Sequence, residues 1–302
     1  MSVQPHAVPA AQAPQYEERL ILFLDFLGFK ALVDRSVGEP AFLGRLVSAM
    51  DTVGRIGAGL APIFRTQRVT QFSDSMVVSY AVTQRSAVFQ LLNEIALTVV
   101  DLAERGFLVR GAITTGLLYH SDRHVVGPAM TEAYLLESKT AIYPRVLVDA
   151  KVLQVARTAT QTFHTPDEEE AYARGFLARD EDGLDYLDYL SWRAVIEVTG
   201  GTPEYYPAYL EGIAELIREG LGHADPRVQA KFVWLRRKYA AALKSFRRMS
   251  PTEQFWQQNT YLCQALQSLP RLQREAAAAR QAIKASQPAA TTKKKRPAPK
   301  RS

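Results

Sequence analysis

The sequence predicts an α+β fold, a sheet with helices packed on one side, followed by a mainly helical extension. Three observations carry that expectation. Residues 19–25 form a nearly unbroken apolar run of strand length ending in Asp25, as expected of a strand buried on both faces. Two short strand-like runs, 66–72 and 76–82, are separated only by Ser73, Asp74 and Ser75, a hairpin signal. Beyond residue 203, apolar residues recur at helical spacing.

The elements follow in order. Residues 1–16 read as a Pro/Ala-rich arm, and Gly28 ends the first strand. An amphipathic helix is expected from about Phe42 to Ile56, and the hairpin comes next. Residues 87–105 have helical periodicity and end at Gly106, which suits a C-cap. Phe107 to Thr115 reads as a strand. Val125 to Gly127 reads as a short strand entering a helix over Pro128 to Ser138, with proline in the first turn where its missing N–H costs nothing. Arg145 to Asp149 is the last expected strand. Strand, helix, hairpin, helix, strand, helix, strand describes an α+β sandwich. Residues 17–160 are read as a catalytic-type domain and 161–285 as the helical extension, with long helical patterns near 203–220, 226–248 and 251–284. The acidic run from Asp167 to Glu170 after Pro166 reads as a helix start that complements the helix dipole.

Composition narrows the function classes. The chain has 302 residues, with 47% hydrophobic and 23% charged, which fits a globular protein with a sizeable core. No apolar run approaches the roughly 20 residues of a membrane helix, and the N-terminus lacks the pattern of a secretory signal. The single cysteine, Cys263, excludes an internal disulfide and a cysteine-based metal cage. A reducing cytoplasm is the expected compartment. The net charge of +6 equals the six lysines and arginines of residues 286–302, so the rest of the chain is balanced. That tail reads as a disordered basic end without aromatic residues for base stacking, so nucleic acid is not an expected partner.

Asp25 and Asp74 are the residues of chemical interest. Carboxylates beside apolar strands are costly unless cations or hydrogen-bond donors neutralise them. If the first strand and the hairpin are neighbours, the two side chains converge, as a site for one or two Mg²⁺ or Mn²⁺ ions requires. The turn Phe26-Leu27-Gly28-Phe29 would offer backbone N–H groups and a helix dipole to a triphosphate. The alternative is that Asp25 caps a helix and Asp74 serves the turn.

The segments Phe23 to Phe29, Phe72 to Ser75, Val109 to Gly116 and Val125 to Ser138 lie in an order that resembles the class III nucleotidyl cyclases. They cover about residues 20–140. A narrower resemblance is to the bacterial pyrimidine cyclases of the Pycsar antiphage system. It rests on Gly127 to Ala129, Ala133-Tyr134, Leu136 to Ser138, Tyr143 to Arg145, and Asp182-Gly183 with the following Tyr186-Leu187.

The resemblance implies Asp25 and Asp74 as ligands of two Mg²⁺ or Mn²⁺ ions, and Phe26, Leu27, Gly28 and Phe29 as the phosphate turn. It also implies a homodimer with composite sites. The substrate would be a pyrimidine nucleoside triphosphate, with the reading leaning to UTP over CTP. The cyclic product (cUMP or cCMP) would activate a separate effector in antiphage defence, with no membrane involved. Thr70, His124 and Thr131 fall where the family reads the base or contacts substrate, and none is the residue the purine cyclases carry there. Leu135 replaces the family's transition-state arginine, and Lys139 and Arg145 are the candidate cations in its stead. A purine-specific cyclase and a catalytically inactive nucleotide-binding regulator are the alternatives. Arg110 is expected to pair with a carboxylate rather than contact substrate, and Tyr134 and Glu137 to serve packing or a base pocket. Lys231 is expected to be solvated surface, the alternative being a reach to a phosphate across a dimer interface.

Overall fold

The computed structural model describes residues 13–56 and 66–286. Most of the N-terminal arm (1–12) and the basic tail from 287 onward lie outside the described residues. Strand β1 (Glu17–Phe26) is the spine of the fold. Alternation along it sends Leu20, Leu22, Leu24 and Phe26 into a large core on one face and Ile21 and Phe23 into a small cluster on the other. This is why the run is apolar at both parities.

Helix α1 (Phe29–Gly38) follows, opening at Gly28, whose φ of 75° is a left-handed conformation that suits glycine. Then come α2 (Pro40–Gly54), strands β2 (Arg68–Phe72) and β3 (Ser75–Ala81), and α3 (Ala87–Glu104). Strand β4 (Val109–His120) is longer than the periodicity suggested. Strand β5 (Val125–Val126) folds back on it and leads into α4 (Pro128–Leu135), which a π-helical turn (Leu136–Thr140) extends. The segment continues with β6 (Val146–Val148), α5 (Ala150–Thr158), α6 (Pro166–Arg174), β7 (Leu177–Arg179) and β8 (Asp185–Leu187). Thr165 caps α6 in a capping box with Glu168. After a second π-helical turn (Arg193–Val198) come α7 (Tyr205–Leu221), α8 (Pro226–Ala242), α9 (Lys244–Arg248), α10 (Gln254–Gln258), α11 (Thr260–Ser268) and α12 (Gln273–Ser286).

The sheet order is β2-β3-β1-β4-β6-β8-β7, with β5 paired to β4. Only β4 and β6 run parallel. The main core, with Phe42 and Leu46 of α2 and Leu91, Leu92 and Ile95 of α3, lies on the face of β1 that carries Leu20 and Leu22. Helix α4 is the exception to one-sided packing. Its Ala129 and Ala133 sit on Ile21, Phe23 and Val77 of the opposite face, on which Arg19, Ser79 and Thr114 are also buried. The strands β7 and β8 fall within the segment read as extension and complete the sheet, and Ile213, Ile217, Trp234 and Leu235 of α7 and α8 share the main core with β1.

Candidate functional site

Register fixes the site. Asp25 opposes Ser75 across β1 and β3, and Arg110 across β1 and β4. Directly opposed residues share a face, so Asp25 stands on the α4 side of the sheet with Ile21 and Phe23. The turn Ser73-Asp74 closes the β2–β3 hairpin, with Ser73 at a φ of 55°. The Asp74 carbonyl accepts from the N–H of Phe26 at 3.4 Å, so the hairpin tip is held against the end of β1.

The two carboxyl groups come close enough to interact electrostatically. Burial first, and then the adjacent Asp74 carboxylate, push the Asp25 pKa above its ordinary value, while Arg110 opposes them. Asp25 is also held by Ser75 Oγ at 3.2 Å and by Arg110 Nη2 at 3.3 Å. Behind it, Arg110 Nε lies 2.5 Å from Glu137 Oε1. This is an ion pair without hydrogen-bond alignment, since neither atom has a well-directed partner. Glu137, only 2% exposed in the π-helical turn, has its pKa raised by burial against the pull of Arg110. Arg110 therefore sits between two acids, as a cation partner of carboxylates.

The pair suits a divalent ion. Among the described residues no cluster of three or more His, Cys, Asp or Glu side chains exists, so the protein offers two carboxylates. A small hard ion such as Mg²⁺ is held by one or two carboxylates, with substrate phosphates and water completing its shell. Two neighbouring carboxylates at a partly buried point are electrostatically unfavourable alone, and Arg110, tied to Glu137, offsets only part of the charge.

The phosphate turn needs a correction. The N–H groups of Phe26 and Leu27 are already bonded, to Asp74 O and to Leu108 O at 2.8 Å. Those of Gly28, Phe29 and Lys30 have no partner among the described residues. Phe26 is core, against Phe29 and Phe107.

Thr70, opposite Val77 in β2, lies on the same face as Asp25, two strands across and two residues along. At ordinary sheet spacings that is roughly 12 Å. Its Oγ1 lies 2.9 Å from His120 Nε2, and His120 Nδ1 lies 2.8 Å from Ser79 Oγ. Ser79, fully buried, also accepts from Arg19 Nε at 2.9 Å. Burial, followed by the charges of Arg19 and Arg68, lowers the His120 pKa to about 4, so the ring is neutral at pH 7. A neutral imidazole has one N–H donor and one acceptor nitrogen, so His120 donates to one of Thr70 and Ser79 and accepts from the other.

The other expected site residues lie elsewhere. His124 is exposed in the β4–β5 loop beside Tyr16 and Tyr119, without contact to Thr70 or the carboxylates. Thr131 and Lys139 are exposed and share an open groove along α4 with Leu135, apart from the Asp25–Asp74 pair. Arg145 does not join the site. It is buried at 2% exposure, paired with Asp180 and with Asp182 at 2.6 Å, under the stacked rings of Tyr143 and Trp234. Its role there is structural. His120 is the contribution that residue patterns did not disclose. It depends on partners far along the chain, Thr70 and Ser79, and the one available signal was a polar residue at the end of a strand.

Loose likenesses to solved structures exist. The adenylyl cyclase CyaB from P. aeruginosa aligns at 14% identity over 49% of this chain and 84% of that one, with a TM-score of 0.36. One structure of a bacterial light-regulated adenylyl cyclase aligns at 13% identity, 55% of this chain and 59% of that chain, with a TM-score of 0.38. Another aligns at 14% identity, 67% and 60%, with a TM-score of 0.40. The chain thus spans about six tenths of the light-regulated structures. No protein-family model and no curated protein matches the chain. The site's own geometry therefore carries the functional reading.

Proposed function

We propose that the protein is a nucleotidyl cyclase that converts a pyrimidine nucleoside triphosphate, UTP in preference to CTP, into its 3′,5′-cyclic monophosphate and pyrophosphate. The observation that supports it is the meeting of Asp25 and Asp74 beside a turn with three free N–H groups. In this reaction the ribose 3′-oxygen forms a bond to the α-phosphorus and the bond to the β-phosphate oxygen breaks. The hydroxyl proton passes to solvent and pyrophosphate leaves.

Asp25 and Asp74 would hold the ions. Bound Mg²⁺ or Mn²⁺ supplies a lowered pKa for the 3′-hydroxyl and charge uptake on the departing pyrophosphate. The N–H groups of Gly28, Phe29 and Lys30 orient the terminal phosphates. Arg110, pulled back by Glu137, limits the repulsion between the carboxylates. Thr70, whose hydroxyl can donate or accept, would face the base and be oriented by His120. Thr131 and Lys139, on an α4 face turned away from their own carboxylates, suit a homodimer in which that face serves the second copy's site. A role in antiphage signalling follows from the sequence resemblance.

Leu135, in place of a transition-state arginine, favours one other reading, a nucleotide-binding regulator without turnover. Incubation with all four nucleoside triphosphates and Mn²⁺, with mass spectrometry of the products, tests both. Cyclic UMP as the main product is expected. Binding without pyrophosphate release selects the regulator, and a cyclic purine product overturns the pyrimidine assignment.

A further inference from the structure

Between the β1–α1 turn and helices α7 and α8 lies a cavity of about 420 Å³. Leu27 and Gly28 form one wall, with Leu32 and Phe42 behind them. Leu216 and Phe232 supply an apolar wall from the C-terminal helices. The polar lining is mostly cationic: Arg35, Arg45, Arg105 and Lys231, with His223 and one acid, Glu219. Arg35 and Arg105 are already paired, with Glu39 and Asp101. Arg45 stacks over Phe42 without a carboxylate partner.

Lys231 is the unusual member. It is half-buried, and among the described residues it makes no ion pair and no hydrogen bond. Burial first, and then Arg110, lower its pKa, against the pull of Asp225 and Glu137. A partly desolvated ammonium group without a partner is costly, and a ligand anion would remove that cost. Lys231 also feels the charges of Arg110 and Glu137, which flank Asp25.

We propose that this cavity binds the polyphosphate portion of the ligand, with Lys231 as the cation that contacts it. The helical C-terminal segment then forms part of the phosphate site of its own chain. The inference rests on the nucleoside triphosphate reading for its biological ligand, but a bare polyphosphate tests it independently. The cation is a point charge on a flexible stem, which tolerates the several phosphate positions that substrate and product would occupy. Apolar walls around it strengthen each charge-assisted hydrogen bond.

The test is calorimetric titration of the full-length protein with inorganic tripolyphosphate and pyrophosphate, in chelator so that divalent ions do not contribute. Lys231→Met is expected to weaken tripolyphosphate binding about tenfold or more, whereas Lys231→Arg stays within about threefold of wild type. Arg227→Met, which removes an exposed cation one turn earlier on the same helix that is already paired with Asp225, should leave affinity unchanged. Thermal melts establish that each variant is folded. Wild-type affinity in folded Lys231→Met overturns the site, and so does an equal loss in Arg227→Met, which would mark a diffuse charge effect. Lys231-dependent polyphosphate binding without cyclisation of any nucleotide would retain the site and reject the cyclase. Cyclisation indifferent to Lys231 would do the reverse.

Discussion

Asp25 and Asp74 are placed at a cost. Burial and mutual repulsion raise the Asp25 pKa, so in the metal-free protein its ionised form is disfavoured, and Arg110 returns only part of the deficit. Asp25→Asn and Asp74→Asn should therefore separate stability from activity. Turnover is expected to fall at least about a hundredfold in each, because the ion loses a ligand, while the melting temperature without divalent ions stays level or rises. Thermal melts beside a pyrophosphate-release assay read both; a melting temperature lowered by several degrees in both would show that the carboxylates stabilise the fold. Mn²⁺ affinity should fall as pH falls, since ion binding requires the charged carboxylates. His120 offers a second titration, from a ring buried in its neutral form. Its pKa is about 4 when folded against 6.5 otherwise, so the unfolded chain takes up its proton first. Stability is then lost as pH falls from about 6.5 to about 4, by up to about 3 kcal/mol. His120→Gln should flatten that part of the stability profile in denaturant titrations at stepped pH.

At the scale of elements, close backbone approach decides more than propensity. Gly127, between β5 and α4, has a φ of 151°, and a Cβ there would lie 2.5 Å from the carbonyl oxygen of Leu117. Gly127→Ala should cost about 2–3 kcal/mol, visible in chemical denaturation, because both the backbone and the strand pair must shift. The glycine and its helix were legible in the sequence, as were β1, the hairpin and α3, because each has an unambiguous apolar period or turn. Other elements were not. Helix α1 (Phe29–Gly38) carries Phe29, Leu32, Val33 and Val37 at helical spacing, but the stripe is short and only Ser36 is fully buried. The strands β7 and β8 are three residues each in an acidic stretch and gain their structure from pairing in the sheet. The pattern over 251–284 is one helical period to the eye but three helices in the fold, broken near Asn259 and Pro270. The same holds at the site. The convergence of Asp25 and Asp74 followed from adjacent strands, whereas the link from Thr70 through His120 to Ser79 spans 50 and 41 residues and leaves no local trace.

Across the whole molecule, one buried ionic cluster joins the sheet to the C-terminal helices. Asp180, in the β7–β8 turn, accepts from Arg145, from Trp234 Nε1 at 2.7 Å and from Lys238 Nζ at 2.6 Å. Burial opposes its ionisation, but the Lys238 and Trp234 hydrogen bonds outweigh that and bring its pKa to about 2. Asp182 supplies the second negative charge, so two acids balance two bases. Removing one member of such a cluster leaves a buried charge uncompensated, so Asp180→Asn should lose about 3 kcal/mol, or roughly 6–12 °C in melting temperature. Because the folded pKa is depressed from 3.8 to about 2, the contribution is complete above pH 3.8 and disappears as pH falls to about 2. Wild type should therefore lose stability over that window and the variant should not. Lys231, Trp234 and Lys238 recur at three- and four-residue spacing along α8, one face of a helix. The cluster that fixes Trp234 and Lys238 thus also fixes where Lys231 stands. Asp180→Asn, though it touches no part of the cavity, is expected to weaken tripolyphosphate binding several-fold in calorimetry at neutral pH. Unchanged affinity in the folded variant would show that α8 holds its place by apolar packing alone.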